Sequence, residues 1–429
     1  MKLSLLLLAT FFLSQIAAAE SSLETVPADE KETTIELIKK VEANNKTEHR
    51  DQHPKPHGCV DGATLIVDWE NPTIKLPNGE TKKIDIGAFE KKGARYDVKI
   101  RFSSGSPSRK AADPAGGAQG MALKLQLQSD LRKRVVPFNE KKYGFPEIFF
   151  LEPEEYYKTF DIITIAGGEN KAPVREFFTD TAKDYDDFFA FQDAAKAAVK
   201  EIIGEAVKAG KNPKTDLEVR KAIGAATVKA LKEHFILKDP KKPRLAAAAI
   251  LERLGKTVTG DLLVKEFNSF LPSHYGKDET GKDQAIKYLL EPVKKVSEKA
   301  PLVAPKGVDI TRDNYLTDWL KFHLAEEETK YELKIQFHAK NFSSVELGTA
   351  EWPVKDSPYV KIATLTIPQK NVGKEFMDET VCETMAFNPA HSTEEHLPTG
   401  GSQRVRSPIY VKDANLRNEN AGRKPYQKQ

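Results

Sequence analysis

Tyr96-Asp97-Val98-Lys99-Ile100-Arg101-Phe102-Ser103-Ser104 alternates apolar and polar residues and ends on an arginine and two hydroxyls. A period of two is that of a strand with one face in a core. The stretch therefore predicts β-structure with polar chemistry at its end. Similar runs flank it, Ala63-Thr64-Leu65-Ile66-Val67 before and 121–127 after, separated by Pro- and Gly-bearing turns such as Pro77-Asn78-Gly79. That punctuation predicts a meander or barrel. Alternation returns in Leu333-Lys334-Ile335-Gln336-Phe337 and over 360–367, which are expected to supply the remaining barrel strands.

Between these β-rich parts the composition changes. From about 172 to 300 Ala, Lys, Glu and Leu dominate, and 188–209 carries apolar residues at helical spacing with Gly210 as a stop, so a helical region is expected there. The lysines of 238–242 have Asp and Glu nearby and read as solvated surface. Residues 20–45, rich in Glu, Lys, Ser and Thr, predict an arm or short helix, and 46–429 a single α+β domain. In the C-terminal part, Pro389, Pro398 and Pro408 are expected to break any long element.

The 429 residues hold 66 Lys+Arg against 63 Asp+Glu, a net charge of +3, which argues against a nucleic-acid or anionic-membrane partner. Lys2, the apolar run 3–13 and Ala17-Ala18-Ala19 have the plan of a secretory signal, with cleavage expected after Ala19 and a secreted, soluble product. Asn45-Lys46-Thr47 and Asn341-Phe342-Ser343 are glycan acceptor sequons in that setting. The only cysteines, Cys59 and Cys382, leave two readings open, one bridge or two buried thiols. No G-x-x-x-x-G-K-[ST], H-E-x-x-H or G-x-S-x-G motif occurs.

Three clusters carry possible chemistry. Arg50-Asp51-Gln52-His53, followed by Pro54-Lys55-Pro56-His57-Gly58, offers a general base at a barrel mouth with a cation three residues before it. Arg101 and Ser103 could hold a carboxylate and fix an imidazole tautomer. Arg406 stands four residues before Tyr410, so on a helix the cation would lie beside the phenol and favour phenolate, a hard ligand for ferric iron. Tyrosine-ligated haem iron is the known biological use of such a pair. Taken singly, each cluster also has an ordinary reading: a surface imidazole, an edge arginine, a packed tyrosine in a basic tail.

In order along the chain, the clusters resemble the haem catalase superfamily, and its catalase-like branch more than the large monofunctional catalases. Arg50-x-x-His53 resembles R-x-x-H-A-K-G, Arg101-Phe102-Ser103-Ser104 resembles R-F-S-T, and Gly120-Met121-Ala122-Leu123-Lys124-Leu125 resembles G-F-A-V-K-F. Arg406-x-x-x-Tyr410 with Arg417 is similar to the proximal R-x-x-x-Y and its following arginine. Looser likenesses lie in Glu147-Ile148-Phe149-Phe150, Tyr275-Gly276, Lys287-Tyr288 and Phe387-Asn388-Pro389-Ala390-His391.

The resemblance implies a catalase-like antiparallel β-barrel with a helical region, binding haem b. It implies Tyr410 as axial ligand, Arg406 as its partner, and Arg50, Arg101 and Arg417 as holders of the propionates. His53 would be the distal base and Ser103 would orient it. The expected substrate is hydrogen peroxide or an organic hydroperoxide, with a small reducing donor in peroxidase chemistry. Rearrangement of a lipid hydroperoxide, as in allene oxide synthases, and haem binding without turnover are the alternatives. Two departures stand out. The position of the family's distal Asn corresponds to Phe145, which implies slow peroxide dismutation, and Asn139 lies nearby at the wrong spacing. The histidine motif also has one residue too many, so a shifted register would make His57 the base instead of His53.

Overall fold

The computed structural model describes residues 23–44, 49–50, 53–105, 109–136 apart from 111 and 116–117, 158–166, 180–236 apart from 214, 260–294, 303–370 apart from 349, 382 and 385–422. The expected signal segment 1–19, the sequon at Asn45, Asn139, Phe145 and 147–150 lie outside the described residues.

The alternating runs are strands. β1 (Pro56–Val67) pairs antiparallel with β4 (Arg95–Ser104), placing Leu65 opposite Tyr96 and Cys59 opposite Arg101. A separate hairpin, β2 (Thr73–Lys75) and β3 (Thr81–Lys83), turns through Gly79 at φ 87°, a left-handed conformation that glycine adopts without a Cβ penalty. β5 (Gln119–Gln126), β6 (Thr159–Ala166), β7 (Phe267–Asn268), β8 (Ser273–Lys277), β9 (Asp283–Pro292), β10 (Thr329–Phe337) and β11 (Val360–Ile367) follow. Among the described residues eight antiparallel strands close a barrel in the order β10-β11-β1-β4-β5-β6-β7-β9, with β9 returning to β10 and β8 added beside β9. One parity of each strand fills the inside: Val98, Ile100 and Phe102 from β4, Leu123 from β5, Leu333 and Ile335 from β10 are at most 1% exposed. At about 25 cal/mol per Å² of apolar surface removed from water, this packed interior dominates the stability of the fold.

Helices cover the outside. α1 (Glu30–Asn44) fills the arm, and α2 (Ala182–Lys208) and α3 (Leu217–Leu231) form the helical insert. Thr181 starts α2 in a reciprocal capping box with Asp184, and Gly210, at φ 70°, follows its end. α4 (Tyr315–Glu326) lays Leu316, Leu320 and Leu324 on the main core. α5 (Gly401–Asn420) packs Val405, Ile409 and Leu416 against Leu37 and Val41 of α1 and Ala182 of α2. No described helix is long and apolar enough to cross a membrane.

The structure corrects two expectations. Helix does not run from 172 to 300: after α3 and a short π-turn the chain returns to strand in β7, β8 and β9. β9 is buried on both faces through most of its length, so the alternation that would have revealed it is missing. Nor does Pro408 break its element, since α5 runs through it for 20 residues. The lost backbone hydrogen bond is outweighed by burial on both sides of that turn, where Ser407 is sealed and its carbonyl accepts from Asn388 Nδ2 at 3.0 Å.

Of the two readings open for the cysteines, the bridge is found: Cys59 and Cys382 form a disulfide across 323 residues of sequence. It ties β1 to the segment leading into α5.

Candidate functional site

The outward parity of β4 carries Arg101 and Ser103, because Ile100 and Phe102 point into the core. Beside them β5 brings Gly120 and Ala122, and β6 brings Ile163, in register across the ladder. The segment before β1 lays Arg50 and His53 over this patch, while Phe387 and Tyr410 of α5 close it. The result is a cleft lined by Arg50, His53, Arg101, Ser103 and Tyr410 together with apolar side chains. The site therefore stands on the outer wall of the barrel. The barrel mouth expected from the sequence is not where it lies, and the barrel interior is close-packed with apolar side chains.

His53 is held from three directions. Its φ is 51°, a left-handed conformation that costs a non-glycine residue about 1–2 kcal/mol. Arg101 Nη2 donates to the His53 carbonyl at 2.9 Å, and Nδ1 lies 3.3 Å from Ser103 Oγ. Burial, then the cations of Arg101, Arg406 and Arg50, pull the ring pKa down to about 3, so it is neutral at physiological pH. Gly120 makes this pairing possible. A Cβ there would sit 2.9 Å from Ser103 Oγ and 3.1 Å from His53 Nδ1, closer than real methyl carbons approach.

His57 is elsewhere. It is fully sealed, its Nε2 is 2.6 Å from Gln119 Oε1, and its Nδ1 is 3.8 Å from Asp113. Burial holds its pKa down to about 4 against the opposing pull of Asp113. Lys55 pairs with the same Asp113, whose other oxygen accepts from the Leu316 amide at 2.9 Å. The Lys-x-His segment thus anchors the strand below the cleft, and of the two histidines only His53 lines it.

On the opposite wall Arg406 Nη2 donates to the Tyr410 hydroxyl at 2.9 Å, one helical turn away as the spacing required. Burial disfavours the Arg406 cation, but the Tyr410 and Tyr185 oxygens outweigh it and its pKa is raised. Arg50 is buried and donates to the carbonyls of Met385 and, at 3.4 Å, of Cys382. Arg417 does not line the cleft. It lies farther along α5, 1% exposed, with Nη1 3.7 Å from Asp413 and with Nε and Nη2 lacking hydrogen-bond partners. Gly120 and Gln119 had no assigned role in the sequence, since a steric requirement and a neighbour's hydrogen bond leave no spacing signal.

No family model matches the chain, and no curated protein matches it. Solved structures do. A fungal catalase aligns at a TM-score of 0.51 and 15% identity over 89% of this chain and 62% of its own. A bacterial catalase aligns at 0.53 and 14% over 95% and 65%. Catalase A from Saccharomyces cerevisiae aligns at 0.50 and 14% over 93% and 67%. The chain thus spans 62% and 65% of the length of the first two. Barrel, helices and these alignments agree that the chain has the catalase-like fold.

Proposed function

We propose that the chain is a secreted haem-dependent oxidoreductase acting on hydrogen peroxide or organic hydroperoxides. The observation that carries this reading is that His53 and Tyr410, from opposite ends of the sequence, line one cleft. The residues present fit a ferric porphyrin. Tyr410 would offer the iron a phenolic oxygen already paired with a guanidinium, Met121, Ala122, Ile163 and Phe387 offer apolar walls, and Arg50 and Arg101 bring positive charge.

When bound, the haem iron would supply the electrons that break the peroxide O–O bond. The protein's part is positioning and proton transfer. His53 is neutral and can accept a proton at Nε2 from the nearer peroxide oxygen, while Ser103 holds Nδ1. Returning that proton to the farther oxygen lets it leave as water or alcohol instead of hydroxide or alkoxide. Arg406 donates to the Tyr410 oxygen and would stabilise negative charge there if that oxygen held the iron. The apolar walls also favour an organic hydroperoxide, and with it the rearrangement chemistry of allene oxide synthases. The disulfide supports an oxidising, secretory compartment, and exposed Asn341 is accessible to a glycan.

Reconstitution with haemin tests the proposal. A Soret band should appear in the native chain, be lost or weakened in Tyr410→Phe, and persist in His53→Ala without peroxide cleavage. Oxygen release from peroxide alone marks catalase activity, a need for a reducing donor marks peroxidase, and loss of a lipid hydroperoxide without either marks rearrangement. A native chain with no Soret band ends the proposal.

A further inference from the structure

Arg406 borders a second, small cavity that Tyr410 does not line. It lies beside β6 near the thinnest part of the barrel seam, where β7 pairs with β6 only at Ile165 and Asn268. Its polar wall comprises Asp161, Ser269, Ser273, Tyr288, His396, Gln403 and Arg406.

This wall is rich in donors. Arg406 is 8% exposed and its hydrogen bonds go to the Tyr410 oxygen and, at 3.4 Å, the Gln403 amide oxygen. Among the described residues no carboxylate pairs with it within 4.0 Å. The Tyr288 hydroxyl is buried without a partner, and burial raises its pKa, so it keeps its proton. His396 is 1% exposed and stacked on Phe160; its Nε2 accepts from the Ala88 amide at 3.1 Å. Burial pulls the His396 pKa down to about 3, so the ring is neutral and its one proton sits on Nδ1, which also has no partner. The carboxylate on the wall, Asp161, is engaged by Lys124, His391 and the Asn388 amide.

A buried cation with no carboxylate beside it and two buried donors with no acceptor are each costly. Water would satisfy the donors but would bring protons of its own and no charge. A small anion supplies acceptor and charge together. We propose that this cavity binds one small monovalent anion, of halide or formate size, held by Arg406, Tyr288 and His396. The site goes beyond the peroxide reading and does not depend on a bound porphyrin.

The test is calorimetric titration of the purified full chain, without porphyrin, with sodium chloride and separately with sodium formate, gluconate holding ionic strength constant. One anion per chain should bind saturably, and Tyr288→Phe, which deletes only the oxygen, should weaken it about tenfold or more. Bromide-soaked crystals provide a second arm, with an anomalous peak expected between Arg406 and Tyr288. No saturable binding of either anion, an affinity unchanged in Tyr288→Phe, or water alone in the cavity would overturn the proposal. If Tyr288→Phe does not fold, the bromide crystal decides. Since neither measurement uses haem, failure here leaves the peroxide reading untouched.

Discussion

Gly120 illustrates how little room separates the His53 imidazole from the hydroxyl beside it. In Gly120→Ala the new methyl would press on Ser103 Oγ and His53 Nδ1 together, while Tyr410 and Arg406 stay in place on α5. Haem uptake should therefore be kept and peroxide turnover should fall roughly tenfold to a hundredfold, the cost of displacing a reacting group by about 1 Å. Soret titration alongside an activity assay separates the two, and unchanged turnover would remove Gly120 from the positioning machinery. The site residues with charge or titratable chemistry were legible because arginines, histidine and tyrosine recur at fixed spacings. Tyr288 and His396 were not, because what sets them apart is the lack of a partner inside a folded interior.

At the scale of elements, α5 depends on α1. Leu37 is fully buried in the apolar cluster it shares with Val405 and Ile409, on the helix that presents Tyr410. Leu37→Ala should cost about 2–5 kcal/mol, lower the thermal midpoint, and weaken haem affinity although no cleft residue is changed. A midpoint that drops while affinity holds would show that α5 keeps its place without α1. Exposed-face alternation made β4, β10 and β11 readable in advance, whereas β9, covered on both sides, looked like part of a helical insert. Pro408 misled in the opposite direction: local propensity argued for a break, and tertiary burial kept the helix whole.

Across the whole molecule, among the described residues, burial depresses the pKa values of His53 to about 3, His57 to about 4 and His396 to about 3, and lowers that of His338 as well. Each binds its proton more readily in the unfolded chain, where the ordinary value is about 6.5. Unfolding thus takes up protons in the interval between, so their contribution is fully present above about pH 6.5 and is lost as pH falls toward the folded values. The thermal midpoint should drop steadily from pH 6.5 to 4, and less steeply in His57→Gln, whose amide cannot charge. Equal slopes in the two proteins would mean that His57 is not the sealed neutral ring described above. The pattern of paired charges on the outer wall was readable in the sequence; this acid sensitivity was not, since it arises from burial alone.

The cleft joins a strand wall from the first part of the chain to a ring carried on α5. During synthesis that wall emerges from the ribosome long before its facing side chain is translated. A nascent chain can therefore build most of its barrel yet hold no competent pocket, which delays capture of any prosthetic group until α5 has been made.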